Sequence, residues 1–140
     1  MSRNITNYYN TDFTYDGYIG FSQNRVRIGD STTGQTNQGT NSISIGNQAG
    51  ILEQTIGSIA IGYQAGQYTQ GTSAIAIGNT AGQTNQGQNA VAIGENAGQT
   101  GQGSASIAIG LNAGQSNQLV NSIAIGITAG FRDQNASAVA

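Results

Sequence analysis

The chain has 140 residues, of which 36% are apolar and 7% charged, with a formal net charge of −2 and neither His nor Cys. That length makes one domain, and the composition excludes disulfides, zinc sites and His- or Cys-based catalysis. There is no Lys, and no basic residue lies between Arg27 and Arg132; this excludes a nucleic-acid surface, which needs clustered Lys and Arg against phosphates.

Residues 1–24 form a segment apart. They carry Tyr8, Tyr9, Phe13, Tyr15, Tyr18 and Phe21 and lack the repeat that follows. An aromatic stretch at the start of a repeat array reads as a cap over the first unit or as a docking element for another subunit, because the ends of such arrays must be covered. Glycan stacking on the same aromatics is the other reading. Asp12 and Asp16 read as solvated turn residues, since no acid, base or metal ligand accompanies them. Met1–Asn10 shows no basic region followed by an apolar run, so no secretory signal is visible. No apolar run is long enough to span a membrane as a helix.

Residues 25–140 are the repeat domain. Val26-Arg27-Ile28-Gly29 opens a degenerate first unit, and Gly34-Gln35-Thr36-Asn37-Gln38-Gly39 follows with one extra residue between. Six regular units then start at Ile43, Ile59, Ile75, Val91, Ile107 and Ile123, always sixteen residues apart. Each contains Ile-x-Ile-Gly, or Val-Ala-Ile-Gly in one case, which places glycines at Gly46, Gly62, Gly78, Gly94, Gly110 and Gly126. Four residues on comes a second glycine preceded by Ala, and a Gln recurs at Gln38, Gln54, Gln70, Gln86, Gln102, Gln118 and Gln134. Ser137-Ala138-Val139-Ala140 reads as the opening of a further strand. Gly, Gln, Ser, Asn and Thr are the composition of disordered tracts, but disorder needs no registration every sixteen residues.

A fixed short period with fixed glycines is the mark of a solenoid. The spacing predicts an all-β, parallel β-solenoid (β-roll) of about seven coils. In each coil Ser-Ile-Ala-Ile makes a short strand, since β-branched residues alternate with a small one. The following glycine permits a φ > 0 turn. The Gln-bearing stretch returns as a second short strand. Stacking at about 4.8 Å per coil gives a rod roughly 30–35 Å long.

The alternation also predicts a core ladder of Ile43, Ile45, Ile59, Ile61, Ile75, Ile77, Val91, Ile93, Ile107, Ile109, Ile123 and Ile125. Ser44 and the Ala residues at 60, 76, 92, 108 and 124 would then face outward as a flat strip. The seven Gln would form an amide ladder, each donating to the coil above and accepting from the coil below. Two buried Ile per sixteen ordered residues fall short of the ordering entropy, so the Ala strip is expected to pack on a partner chain.

The units Ser58-Ile59-Ala60-Ile61-Gly62, Asn89-Ala90-Val91-Ala92-Ile93-Gly94 and Asn121-Ser122-Ile123-Ala124-Ile125-Gly126 resemble the head repeats of YadA-like trimeric autotransporter adhesins. They are also similar to Ile-Ala-Ile-Gly arrays in uncharacterised giant-virus proteins. The resemblance covers Ile43 to Gly130, with a weaker version from Val26. It implies a left-handed parallel β-roll that trimerises and binds surfaces. The repeat here is longer than the usual head repeat, by a Gln-rich return side.

Other motifs carry little. Gly46-x-x-x-Gly50 and its copies sit in segments too polar for a transmembrane dimer motif. A phosphate loop needs a Lys. Calcium-binding β-rolls need an Asp in every coil, whereas the regular units carry Glu53, Glu95 and Asp133. An ice-binding Thr ladder fails on the column Thr36, Leu52, Tyr68, Thr84, Thr100, Ser116, Arg132. Asn4-Ile5-Thr6 and Asn135-Ala136-Ser137 are glycosylation sequons, relevant only on a eukaryotic secretory route.

The expected function is structural: a self-assembling subunit of an extracellular or virion-associated fibre, polymerising head-to-tail. Tyr8, Tyr9, Phe13, Tyr15, Tyr18 and Phe21 would dock against the far end of the next copy near Val139. The alternative is an adhesin-like trimeric rod that binds a surface or a glycan. Either way the expected partner is the chain itself, as a homo-oligomer or filament, with no cofactor, metal, nucleic acid or membrane insertion and no enzymatic activity.

Overall fold

Fixed glycines every few residues forbid long elements, and the chain accordingly folds into short strands joined by tight corners. A computed structural model describes residues 18–22 and 24–140. The architecture is all-β, with parallel strands stacked as a β-solenoid of about six turns. Its elements are β1 (Tyr18–Ser22), β2 (Arg25–Gly29), β3 (Ile43–Ile45), β4 (Leu52–Gln54), β5 (Ile59–Ile61), β6 (Tyr68–Gln70), β7 (Ile75–Ile77), β8 (Thr84–Gln86), β9 (Val91–Ile93), β10 (Ile107–Ile109) and β11 (Ile123–Ile125).

One face of the coil stacks into an eight-stranded sheet in the order β1-β2-β3-β5-β7-β9-β10-β11. From β2 onward this sheet is parallel, and each residue lies over its counterpart one unit away, as with Ile75, Ala76 and Ile77 against Val91, Ala92 and Ile93. The return side stacks as β4-β6-β8 and continues as single bridges at Thr36, Thr100, Ser116 and Arg132. Corners are laddered too. Gly94 N–H donates to Ile77 O at 2.8 Å, Asn96 N–H to Asn79 O at 2.9 Å and Gly82 N–H to Ala97 O at 2.9 Å. The backbone is therefore satisfied around the whole coil, not in the strands alone. Val139 continues the sheet by bridging Ile123, and Ile125 N–H donates to Ala140 O at 3.0 Å.

The core is the reverse of what the alternation predicts. Ala60, Ala76, Ala92, Ala108, Ala124 and Ser44 point inward and are fully buried. The expected core ladder of Ile43, Ile45, Ile59, Ile61, Ile75, Ile77, Val91, Ile93, Ile107, Ile109, Ile123 and Ile125 flanks these inward residues on the same strands, partly or largely exposed. Ile93 retains 37% and Ile125 57% of its surface. The reason is width. Opposite the strand runs the second glycine of each unit, and a Cβ built on Gly66 would stand 3.2 Å from Ala60 Cβ, as would one on Gly130 from Ala124 Cβ. The space between the coil's two sides is closed by a methyl group, and an Ile turned inward has no volume to occupy.

Three small columns and one Gln column line this lumen. Ala49, Ala65, Ala81, Ala97 and Ala113 are buried beside the strand Ala residues, and Ser42, Ser58, Ala74, Ala90, Ser106 and Ser122 precede each strand, also buried. The serines among these last satisfy their hydroxyls locally: Ser58 Oγ donates to Thr55 O at 2.7 Å and Ser122 Oγ to Leu119 O at 2.6 Å.

The expected turn glycines occupy the corner after each strand. Gly46, Gly62, Gly78, Gly94, Gly110 and Gly126 all have φ between 120° and 132°. A Cβ on any from Gly46 to Gly110 would lie 2.4–2.7 Å from the carbonyl oxygen of the glycine one coil on. Glycine is required there both for its φ and for close stacking.

The first coil departs from the repeat at its extra residue. Asp30 gathers it: Oδ1 accepts from the Thr32 N–H at 3.1 Å and hydroxyl at 2.8 Å, and from the Thr33 N–H at 3.1 Å and hydroxyl at 3.0 Å. Desolvation pushes the Asp30 carboxyl up, but the hydrogen bonds from Thr32, Thr33 and the Gln48 backbone outweigh it and hold the group below its ordinary value. Because the folded-state pKa is the lower one, this stabilisation is present above the unfolded value and lost as pH falls through the folded one. Acidification below the ordinary carboxylate range should therefore lower the protection of the Thr32 and Thr33 amides, measured as exchange relative to the intrinsic rate at each pH, before it lowers that of Gly82 or Gly98.

The inverted core gives a direct test. Ala92→Leu should destabilise by about 1–3 kcal/mol through overpacking. Ile93→Ser, on the outer face, should cost under about 1 kcal/mol in a dilute, unassociated chain. Urea melts of both variants check the order, and a larger loss for Ile93→Ser would contradict the inward placement of Ala.

Candidate assembly surface

Once Ala turns inward, the β-branched residues of every unit form two columns on the outside of the large sheet. Because β3, β5, β7, β9, β10 and β11 pair without a register shift, Ile43, Ile59, Ile75, Val91, Ile107 and Ile123 make one column. Ile45, Ile61, Ile77, Ile93, Ile109 and Ile125 make the other. Val26 and Ile28 extend both on β2. A three-residue strand is about 10 Å long and six strands span about 29 Å, so this apolar face covers roughly 300 Å². Among the described residues, no charged residue falls on it from β3 onward. Further exposed apolar residues, Leu111, Leu119, Val120 and Ile127, gather in the last two units.

The Gln residues hold the coil that carries this face. Gln38, Gln54, Gln70, Gln86, Gln102, Gln118 and Gln134 are all buried. Gln38 donates to Ser44 Oγ and Gln54 Oε1 of the next coil, but from Gln54 onward the main bonds run across the lumen, not along it. Gln86 Nε2 donates to Ile75 O at 2.7 Å, Gln102 Nε2 to Val91 O at 2.8 Å and Gln118 Nε2 to Ile107 O at 2.8 Å. Each ties the return side to the first residue of the strand in its own coil. The second hydrogen of Gln86 is shared between Ala90 O at 3.4 Å and Gln102 Oε1 at 3.2 Å. Contacts up the column are thus the longer ones, and Oε1 of Gln38, Gln70, Gln86 and Gln134 has no partner. The two carbonyls facing Nε2 fix which end of each amide is which.

A second amide network lies on the outer corner, and sequence reasoning missed it. Gln64 donates to Gln48 at 2.7 Å, Gln83 to Gln64 at 3.0 Å and Gln67 at 3.1 Å, Gln115 to Gln99 at 3.2 Å, and Asn96 to Asn112 at 2.9 Å. Its signal was present: Gln67, Gln83, Gln99 and Gln115 keep the sixteen-residue period.

Of the expected docking residues, Tyr18 and Phe21 lie in β1 and Val139 lies against Ile123, 77% exposed. Tyr8, Tyr9, Phe13 and Tyr15 lie outside the described residues. Among the described residues no group of His, Cys, Asp or Glu could hold a metal ion, and no helix is long and apolar enough to cross a membrane. Compared with known protein families, curated proteins and solved structures, the chain has no significant match in any of the three.

The transverse amide bond predicts two unequal substitutions. Gln86→Ala removes the side-chain donor from the Ile75 and Ala90 carbonyls, while Ala90 O keeps the Ile75 N–H at 2.9 Å, and should cost about 1 kcal/mol. Gln86→Glu sets a carboxylate against the same carbonyls and should cost several kcal/mol near neutral pH. The buried acid's pKa is pushed up, so its penalty should shrink as pH falls through that raised value and level off below the ordinary glutamate pKa of about 4.3. Denaturation midpoints of both variants at neutral and acid pH check this.

Proposed function

We propose that this chain is a structural β-solenoid subunit that assembles with copies of itself, and that the outward Ile face is the centre of the contact. The observation that carries the reading is the placement of twelve Ile and Val side chains in two unbroken columns on the outside of a parallel sheet, half-buried by one another except for the exposed Ile93 and Ile125. Contiguous apolar patches of a few hundred Å² mark interaction sites on soluble proteins. A stable contact buries about 800 Å² per partner, so this face supplies its core and neighbouring residues its rim. The resemblance to adhesin heads implies a trimer; three copies with their Ile faces turned to a common axis would bury both columns, and a trimeric surface-binding rod is the functional form.

Head-to-tail polymerisation into a fibre is a second reading. It is favoured by the generic coil-to-coil contact: each coil offers the next the same row of N–H and C=O groups, as Ile123 and Ile125 do to Ala138 and Ala140. Such heterologous contacts do not close.

Replacing Ile45, Ile77 and Ile109 together by Ser should leave the β-sheet circular dichroism intact and convert the protein from oligomer to monomer in light scattering. An unchanged mass would sink the lateral reading. Electron microscopy of the unsubstituted protein separates discrete oligomers from filaments.

A further inference from the structure

We infer that the N-terminal end of the solenoid is a built cap, which prevents a coil of a second copy from stacking onto the first coil in the parallel register. A parallel solenoid is prone to such addition, because each terminal coil presents unpaired backbone groups that template another strand. Three separate features close this end.

The first is strand direction. β1 pairs with β2 antiparallel along all five residues, from Tyr18 opposite Gly29 to Ser22 opposite Arg25. The edge of β2 that faces away from β3 is the edge an incoming parallel strand would use, and the chain fills it with its own hairpin.

The second is charge in the lumen. Arg27 is in register with Ser44, and so occupies the inward position held by Ala60 and Ala76 further along. Its Nε donates to Thr33 O at 2.9 Å, and a Cβ on Gly34 would stand 3.1 Å from both Arg27 Cγ and Nε. The side chain therefore lies across the end of the Ala column, against the glycine opposite. Another coil laid over it would bury the guanidinium between two dry layers, a cost that an Ala at this position would not impose.

The third is register. Five residues separate Gly29 from Gly34, where four separate Gly46 from Gly50. Thr33 takes up the difference: it is fully buried, and its one hydroxyl proton is shared between Gly46 O at 2.6 Å and Asp30 Oδ1 at 3.0 Å. Asp30 pins the bulge to the next coil by accepting from Asn47 Nδ2. The regular coil that follows still stacks on this one, Gly34 N–H donating to Ala49 O at 2.8 Å and Thr36 N–H to Ile51 O at 2.9 Å, so the bulge alters the edge at this one corner. Antiparallel cover, an inward charge and a bulge are each known means of protecting a sheet edge, and here they coincide on one coil.

The inference does not depend on the lateral contact. It limits end-to-end growth to assemblies in which β1 has left β2 and Arg27 has left the lumen. The test uses the full chain carrying Ile45→Ser, Ile77→Ser and Ile109→Ser, so that lateral association is removed. Gly20→Pro and Phe21→Pro are added; bonded and non-bonded pairs alternate in an antiparallel ladder, so two neighbouring prolines must remove at least one donor. Arg27→Ala is added as well. With the β-sheet spectrum retained, the decapped chain should elongate with concentration, its mean mass in light scattering rising at least about two-fold over the capped parent, as a non-closing contact requires. A folded decapped chain with the same mass as its parent at all concentrations overturns the inference. If the combined variant loses its β-sheet spectrum, Arg27→Ala alone decides: it should speed hydrogen exchange at Val26 and Gly34 relative to Gly82 and raise the mass at high concentration. No change in either would also overturn it.

Discussion

The structure hangs on a bond that crosses the lumen. In each regular coil a buried Gln on the return side donates to the carbonyl of the first strand residue, as Gln70 does to Ile59 O at 2.6 Å and Gln134 to Ile123 O at 2.7 Å. That bond sets the distance between the two sides of the coil. With the distance set, the strand residue facing inward has room for one methyl group, and the residue opposite it for none. The Ala columns and the second glycine of each unit follow from the reach of one amide side chain. Gly82 shows the point from the other side: a Cβ there would lie 2.7 Å from Gln86 Oε1.

A lumen this thin cannot supply the apolar burial of an ordinary domain, since each inward methyl contributes only about 0.8 kcal/mol. The fold leans instead on backbone ladders repeated around every corner. It also tolerates strain. Thr69, Thr80 and Thr128 hold φ of 52–58°, a region that costs β-branched residues roughly 1–2 kcal/mol each. The largest apolar side chains are left outside, where they do little for the isolated coil. The largest apolar residues are thus only partly covered in the isolated coil, and the proposed self-association would complete their burial.

The architecture was legible in the sequence because its period is a backbone property. Gly46, Gly62 and their copies mark a φ and a close approach that few other residues satisfy, and these fix the corners. The side-chain assignment was less legible. Period-two alternation says that Ile59 and Ile61 share a face and Ala60 has the other, but not which face is inside. The rule that the larger apolar residues go inward holds for sheets that pack on a second layer about 10 Å away; it fails where the opposite wall is a glycine backbone in contact with a methyl. The signal that could have decided it was the second small column. Ala49, Ala65, Ala81, Ala97 and Ala113 recur with the Gln, and a lumen that accepts only Ala at that corner cannot accept Ile across from it. Arg27 was visible as a break in the repeat, but its place in the lumen depends on the register of β2 against β3.

Ends and faces are treated differently by this chain, and the difference has a physical logic. Backbone edges are indiscriminate: the N–H and C=O row of one coil fits any parallel strand, so an open edge invites pairing without specificity. Side-chain faces discriminate, because β-branched columns fit only a surface with matching relief. The chain closes the β2 edge with its own β1, a charge and a bulge, and leaves the Ile columns bare. In the proposed assembly, association would fall to the surface that can discriminate between partners. The same sixteen-residue repeat that makes the edge hazardous makes the face regular, so one coil altered at Arg27, Asp30 and Thr33 is enough to separate the two.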